Sequence, residues 1–89
     1  MGRNYDLLPE HIRGGMERYI EGRIPPGDFL TAVLSNDLMQ AVGRADRINR
    51  QKLADIIYFL YTEAPAMCWG SPERVKRWLE GEKNEVLPD

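Results

Sequence analysis

Cysteine and histidine are almost absent from the chain, which has one of each, Cys68 and His11. One cysteine cannot close an internal disulfide, and no second histidine or cysteine lies at the spacing that a zinc site of such ligands requires. Cys68 and His11 could in principle form a nucleophile and a base, but no catalytic motif accompanies either residue. We therefore predict no catalytic residue, no metal and no cofactor, and a protein that is not an enzyme.

Phosphate-binding and metalloprotease motifs are also missing. The chain contains no GxxxxGK[ST] loop, no GxGxxG segment and no HExxH pair. These patterns place glycines against phosphates or two histidines on one face of a helix. The isolated pair Gly14 and Gly15 is too weak a pattern to predict a phosphate cradle. The absence of these motifs favours a protein that works by binding.

The sequence also lacks a long hydrophobic run and a surplus of positive charge. No apolar stretch approaches the roughly 20 residues that span a bilayer, and residues 1–9 lack the apolar region of a signal peptide. The 14 acidic residues outnumber the 12 basic ones, which gives a formal charge of −2, whereas nucleic-acid-binding domains usually carry a basic surplus. These features predict a cytoplasmic protein without membrane contact, and they disfavour nucleic acid as its partner.

Helical periodicity is what the chain does have. Apolar residues recur at helical spacing in several segments, which glycine, proline and capping residues separate. The pattern predicts an all-α fold, a compact single-domain bundle of about five helices over residues 9–81. We expect residues 1–8 to form a lead-in and residues 82–89 a charged, flexible tail.

A short helix is expected after residues 35–37, because serine, asparagine and aspartate are preferred at helix N-caps. Its apolar residues Leu38, Met39 and Val42 are predicted to face inward. Further along, Ser71 followed by Pro72 is a strong signal for the start of the last helix.

The longest periodic segment, residues 46–63, predicts one long helix. Its expected buried face consists of Ile48, Leu53, Ile56, Ile57, Leu60 and Tyr61, widened by Tyr58 and Phe59. A helix that is apolar over most of its circumference lies at the centre of a domain or touches another subunit. We expect this helix at the centre of the bundle, and a homodimer or larger ring rather than a monomer.

A basic cluster supplies the first candidate binding residues, Arg44, Arg47 and Arg50. Arginines at every third position of a helix lie within about 120° of one face, and guanidinium groups suit phosphate and carboxylate oxygens. The cluster predicts a surface for an anion or an acidic partner. The alternative is a solvated face on which Asp46 and Arg50 form an ordinary ion pair one helical turn apart.

Asn36, Asp37 and Trp69 are the other candidates, as a mixed polar and apolar binding surface. The two polar side chains could bind a polar ligand, or they could simply cap a helix. Trp69 lies in an apolar loop, and tryptophan is enriched at binding hot spots. The alternative is that Trp69 closes over the core.

The chain resembles a family of small proteins encoded by bacteriophages and prophages. The resemblance covers roughly residues 8–80, and its most distinctive parts are PPGDFLTAVLSNDL at residues 25–38 and WGSP at residues 69–72. It also includes residues 8–11, 19–20, 44–46, 49, 60–61 and 64–65. The resemblance implies no catalytic residues. It implies an accessory protein of the host cytoplasm that inhibits or sequesters a host factor, such as a component of a defence system.

Two classes of partner follow from these expectations, a host protein and a small anionic nucleotide signal. The alternatives are a nucleic-acid-binding regulator and a minor virion or assembly component. A short helix, a turn near Gly43 and a following arginine-rich helix superficially resemble a helix-turn-helix, which is the basis of the regulator hypothesis.

Overall fold

The computed structural model describes residues 3–81. This part of the chain contains six α-helices and two short 3₁₀ turns, at Tyr5–Leu7 and Ala66–Cys68. The helices are α1 (Glu10–Gly22), α2 (Asp28–Leu34), α3 (Leu38–Arg44), α4 (Arg47–Gln51), α5 (Leu53–Glu63) and α6 (Pro72–Leu79). No strand occurs in residues 3–81, so the prediction of an all-α fold is confirmed. The predicted tail, residues 82–89, lies outside the described residues.

The first helix, α1, runs from Glu10 to Gly22, and Pro9 occupies its N-cap. Its buried residues Ile12, Met16, Tyr19 and Ile20 lie at helical spacing and form one stripe. The left-handed residue at its end is Arg23, with φ 56°, and its N–H donates to the Tyr19 carbonyl at 3.0 Å. Glycine adopts that conformation most easily, but here Gly22 is the last helical residue and Arg23 takes the left-handed position.

The core is built around α1, α2 and one face of α5. The second helix is short and five of its seven residues are buried. The buried apolar residues are Leu8, Ile12, Met16, Tyr19, Ile20, Phe29, Leu30, Ala32, Val33, Leu34, Ala41, Ile56, Phe59, Leu60, Cys68 and Val75. A core of this kind, drawn from every helix except α4, makes residues 3–81 one packed unit.

The segment before Pro9 belongs to this packed unit and is more than a lead-in. Leu8 is fully buried, and the ring of Tyr5 lies 5.3 Å from the ring of Phe59. Arg3 donates from Nη1 to Glu21 Oε2 at 2.7 Å and from Nε to the Glu63 carbonyl at 2.8 Å. These contacts hold the segment against α1 and α5.

The prediction of one long helix over residues 46–63 is wrong, because the structure has two helices there, α4 and α5. The chain leaves helical geometry at Lys52, which separates α4 from α5. A further break at Ala45, with ψ 139°, separates α3 from α4. Asp46 explains the start of α4, since its Oδ1 accepts the Asn49 N–H at 2.7 Å as an N-cap. The residues around Lys52 all favour helix, so sequence propensity contained no signal for that break.

The inward direction predicted for the apolar residues of α3 is also wrong. Leu38, Met39 and Val42 are 52%, 85% and 44% exposed. The only buried residue of α3 is Ala41, whose small side chain allows close packing against α2, the main neighbour of α3. Periodicity identifies an apolar stripe, but it does not identify which side of a short helix meets the core.

The buried face of α5 is narrower than the sequence predicts. Ile56, Phe59 and Leu60 are buried, whereas Ile57, Tyr58 and Tyr61 are exposed, as is Ile48 on α4. The core covers one side of α5 only. The helix was expected to be surrounded by the rest of the bundle, but only about half of its circumference packs against the core.

None of the helices in residues 3–81 is long and apolar enough to cross a membrane.

Candidate interaction surfaces

The three arginines of the basic cluster do not share one helix face, contrary to the prediction. Arg44 is the last residue of α3, while Arg47 and Arg50 lie on α4, beyond the break at Ala45. The physical reason is the Asp46 N-cap, which starts a new helix and changes the chain direction between Arg44 and Arg47.

Arg44 lines a polar cleft between α2 and α3. Its Nη1 lies 3.0 Å from Asp28 Oδ2, and its Nε donates to Gln40 Oε1 at 3.1 Å. The cleft is open, with a volume of about 420 Å³, and its lining includes Asp37 and Arg44 together with Asp28, Thr31, Ser35 and Gln40. Since a carboxylate already neutralises the Arg44 guanidinium, the cleft is better suited to polar neutral groups than to an anion.

Asp37 and Asn36 both have local backbone roles. Asp37 Oδ1 accepts the Gln40 N–H at 3.3 Å as the N-cap of α3. Asn36 adopts a left-handed conformation, with φ 62°, which asparagine tolerates better than most residues. The helix-capping alternative thus accounts for Asp37. Both side chains are nevertheless exposed, and Asp37 lines the polar cleft.

Asp46 connects α4 to α1. While its Oδ1 caps α4, its Oδ2 lies 3.3 Å from His11 Nε2. The ion pair between Asp46 and Arg50 that the sequence offered as an alternative does not occur. The Nη1 of Arg50 instead lies 3.4 Å from the Ala45 carbonyl. An open cavity of about 600 Å³ adjoins this contact, lined by Pro9, Glu10, His11, Ile48 and Lys52.

Asn49 is a feature that the sequence reasoning missed. It is 6% exposed, the one polar residue buried in residues 3–81, and its Oδ1 has no hydrogen-bond partner there. The signal for its burial was present in the spacing. Residues 49, 53, 56 and 60 recur at intervals of three and four, so Asn49 occupies an apolar position of the pattern.

The loop that contains Trp69 is held by several hydrogen bonds. The Tyr19 hydroxyl donates to the Cys68 carbonyl at 2.7 Å, and the Gly70 N–H donates to the Leu34 carbonyl at 2.8 Å. Trp69 is partly buried against the core. This agrees with the alternative interpretation, in which Trp69 closes over the core. Met67, at 67% exposed, is the large apolar residue that the loop presents to solvent.

Burial also governs the chemistry of Cys68. Its side chain is fully buried, and this desolvation raises the pKa of the thiol to about 12. A thiol with such a pKa stays protonated at neutral pH, and the protonated form is a poor nucleophile. Within residues 3–81, no group of three or more His, Cys, Asp or Glu side chains is arranged to hold a metal ion.

Two exposed apolar stripes are the most distinctive surfaces of the described chain. We call Leu38, Met39 and Val42 the α3 stripe, and Ala54, Ile57, Tyr58 and Tyr61 the α5 stripe. Monomeric proteins tolerate scattered exposed apolar residues, but contiguous apolar patches mark interaction sites. Both stripes were visible in the sequence as apolar residues at helical spacing, and all of their residues except Ala54 were predicted to face the core.

No protein-family model matches the chain, and neither a curated protein nor a solved structure matches it.

Proposed function

We propose that this protein works by binding a partner protein through the α3 stripe. The observation behind the proposal is the exposure of Leu38, Met39 and Val42 on one side of α3. Methionine side chains are flexible and polarisable, so they adapt to the shape of an apolar partner. Removing this stripe from water on binding would supply the main favourable free energy.

The surroundings of the α3 stripe have the layout of a protein interface. The other side of α3 carries Gln40 and Arg44, which line the polar cleft with Asp28 and Asp37. Protein interfaces typically have an apolar centre and a polar rim that provides hydrogen bonds and orientation. The sequence-predicted residues Asn36, Asp37 and Arg44 would belong to this rim.

The resemblance to phage accessory proteins supplies the class of partner. Under this proposal the partner is a protein of the host cytoplasm, for example a defence factor, and occupancy of its surface inhibits or sequesters it. Inhibition by occupancy needs no catalytic group in the binding protein.

A matched pair of methionine substitutions tests the proposal. Met39→Lys places a charge in the α3 stripe, whereas Met67→Lys places the same charge on the loop before α6, and both positions are exposed. Tagged wild-type protein and both variants would be used for affinity purification from host lysate, with quantitative mass spectrometry. We expect a host protein that the wild type and Met67→Lys retain and Met39→Lys loses. Equal recovery by all three proteins would contradict the proposal.

A small anionic ligand on α4 is the second candidate, and one observation favours it. No carboxylate lies within 4.0 Å of the side-chain nitrogens of Arg47 or Arg50 in residues 3–81, so their guanidinium groups remain available to an anion. Lys52 and His11 line the adjoining cavity. A thermal-shift panel of cyclic and linear nucleotides tests this. A ligand at 100 times its Kd stabilises the folded state by about 2.7 kcal/mol, and the absence of any shift would count against the candidate.

The nucleic-acid and virion alternatives have no observation of this kind in their favour. A recognition helix must present a continuous basic face to the major groove. Here α4 has five residues and ends at the break before α5, and Arg44 points away from it into the polar cleft.

A further inference from the structure

The outward side of α5 has no cover in residues 3–81, although it is apolar. The α5 stripe occupies helix positions 54, 57, 58 and 61, which together span roughly 100° of the circumference. It lies opposite the buried residues Ile56, Phe59 and Leu60. A helix that is apolar on both sides is normally covered on both sides.

We infer that the α5 stripe is the contact with a second copy of this chain, in an antiparallel arrangement around a two-fold axis. This inference does not depend on the partner proposed for the α3 stripe, which lies on a different helix.

The absence of charge in the α5 stripe favours a second copy as the occupant. A two-fold axis brings the same patch of two copies together, so a charged patch would place like charges against each other. The four residues of the stripe carry no charge. The basic face of α4, with Arg47 and Arg50, would be repelled by its own copy. The whole chain carries a formal charge of only −2, so long-range repulsion between copies is weak.

The order of side-chain sizes along the α5 stripe favours the antiparallel direction. A two-fold axis between Ile57 and Tyr58 places position 54 of one copy against position 61 of the other. The small Ala54 then faces the large Tyr61, and Ile57 faces Tyr58. A parallel pair would instead put alanine on alanine at one end and tyrosine on tyrosine at the other, which leaves a gap and a clash. Antiparallel helices also align their dipoles favourably.

The polar groups beside the stripe do not oppose this contact. The Thr62 hydroxyl already donates to the Tyr58 carbonyl at 2.8 Å, so it needs no further partner. The phenol hydroxyls of the tyrosines lie at the ends of their rings and can remain at the wet edge of an interface. Tyrosine is enriched at interfaces for this reason.

The available area sets the expected strength. Tyr58 and Tyr61 are 58% and 77% exposed. With about 200 Å² for each full side chain, the two rings contribute roughly 270 Å² per copy. Four such rings supply about a third of the 1,600 Å² of a standard interface. Ala54 and the 38% exposed Ile57 add less than the rings do. The stripe therefore falls short of a standard interface, and we expect a reversible dimer that dissociates on dilution.

Sedimentation equilibrium of the full chain over a range of about 1 to 200 μM tests the dimer. We expect the mass of two chains at the upper end and of one chain at the lower end. Tyr61→Lys should remain monomeric throughout, while Met39→Lys on α3 should dimerise as the wild type does. A wild-type protein that is monomeric at every concentration, or a Tyr61→Lys variant that dimerises normally, would overturn the inference. Failure of the α3 proposal would appear separately, as retained host-protein binding by Met39→Lys.

Cysteine cross-linking tests the direction of the pair. Cys68 is buried, so it does not interfere in the native state. A mixture of Ala54→Cys and Tyr61→Cys chains should form a mixed disulfide dimer under mild oxidation. Ala54→Cys alone should not, because its two copies would be separated by about 10 Å along the axis, seven residues at 1.5 Å each. Cross-linking of Ala54→Cys to itself, or no mixed product, would overturn the antiparallel arrangement. Circular dichroism melts confirm that each variant folds.

Discussion

The guanidinium carbon of Arg23 lies 3.7 Å from the centroid of the Trp78 indole ring. The contact is reinforced by two hydrogen bonds. Arg23 Nη1 donates to the Trp78 carbonyl at 2.9 Å, and Trp78 Nε1 donates to the Tyr19 carbonyl at 2.9 Å. Together they attach α6 to the carboxyl end of α1, across 55 residues of sequence. Arg23 achieves this from a left-handed backbone conformation, which places its side chain over the ring.

Two replacements of Arg23 should distinguish what its side chain and its left-handed backbone each contribute to the free energy of unfolding. Arg23→Ala removes the cation–π contact and a charged hydrogen bond to a partly buried carbonyl, and should lower the free energy of unfolding by about 2 kcal/mol. Arg23→Gly removes the same contacts but relieves the left-handed strain, so it should be about 1 kcal/mol more stable than Arg23→Ala. Urea denaturation measures both. Equal stability of the two variants would show that the backbone of residue 23 relaxes when its side chain is lost.

Two glycines provide a matched pair with opposite expected signs. Gly70 has φ 121°, and an added Cβ would lie 3.2 Å from Arg74 Nη1. Gly70→Ala should therefore destabilise the protein by about 1–3 kcal/mol. Gly43 lies within α3, and an added Cβ would meet nothing within 4 Å. Gly43→Ala should stabilise the protein by up to about 1 kcal/mol. Thermal melts of both variants check the pair, and a destabilised Gly43→Ala would contradict the open environment of that site.

Stability should fall at alkaline pH because of Cys68. Burial raises the pKa of this thiol from 9.0 to about 12 in the folded protein. The unfolded chain ionises its thiol near pH 9, whereas the folded protein keeps it protonated. The stabilisation is therefore complete below pH 9 and is lost between pH 9 and about pH 12, at up to about 1.4 kcal/mol per pH unit.

The control for this prediction is Cys68→Ala, measured by urea unfolding at several pH values. Burial also raises the pKa of Tyr5, from 10.0 to about 12, so the variant should start to lose stability only near pH 10. Identical pH profiles for the variant and the wild type would contradict the role of Cys68.

Two substitutions of Asp46 should distinguish the stability contributed by its N-cap on α4 from the stability contributed by its contact with His11. Asp46→Ala removes the N-cap and should cost about 1 kcal/mol, while Asp46→Asn keeps an oxygen for the Asn49 N–H and should cost a few tenths. Urea denaturation near neutral pH distinguishes the two. A cost for Asp46→Asn as large as that for Asp46→Ala would show that the carboxylate charge facing His11, rather than the cap, stabilises this region.

Helix positions were largely predictable because their signals are local. The Asp37 cap and the Ser71–Pro72 start each depend on a few adjacent residues, and both occur as predicted. The break at Lys52 was not predictable, because every residue around it favours helix. The candidate site was even harder to predict from the sequence than the break at Lys52. Arg44, Asp37 and Asp28 meet in one cleft only because α3 folds back on α2.

The sequence by itself determined that the chain is all-helical and that its single cysteine and single histidine belong to no recognisable catalytic or metal-binding motif. Composition and periodicity are properties of the chain and need no tertiary structure. Only the tertiary structure decided which apolar residues are inside. Leu38, Met39, Tyr58 and Tyr61 have the same helical spacing and the same chemistry as the core residues. Two apolar faces on one helix look the same in the sequence. Which face becomes buried depends on the neighbouring elements that pack against it. In residues 3–81 there are too few elements to cover both sides of α3 and α5, so the α3 stripe and the α5 stripe face solvent there.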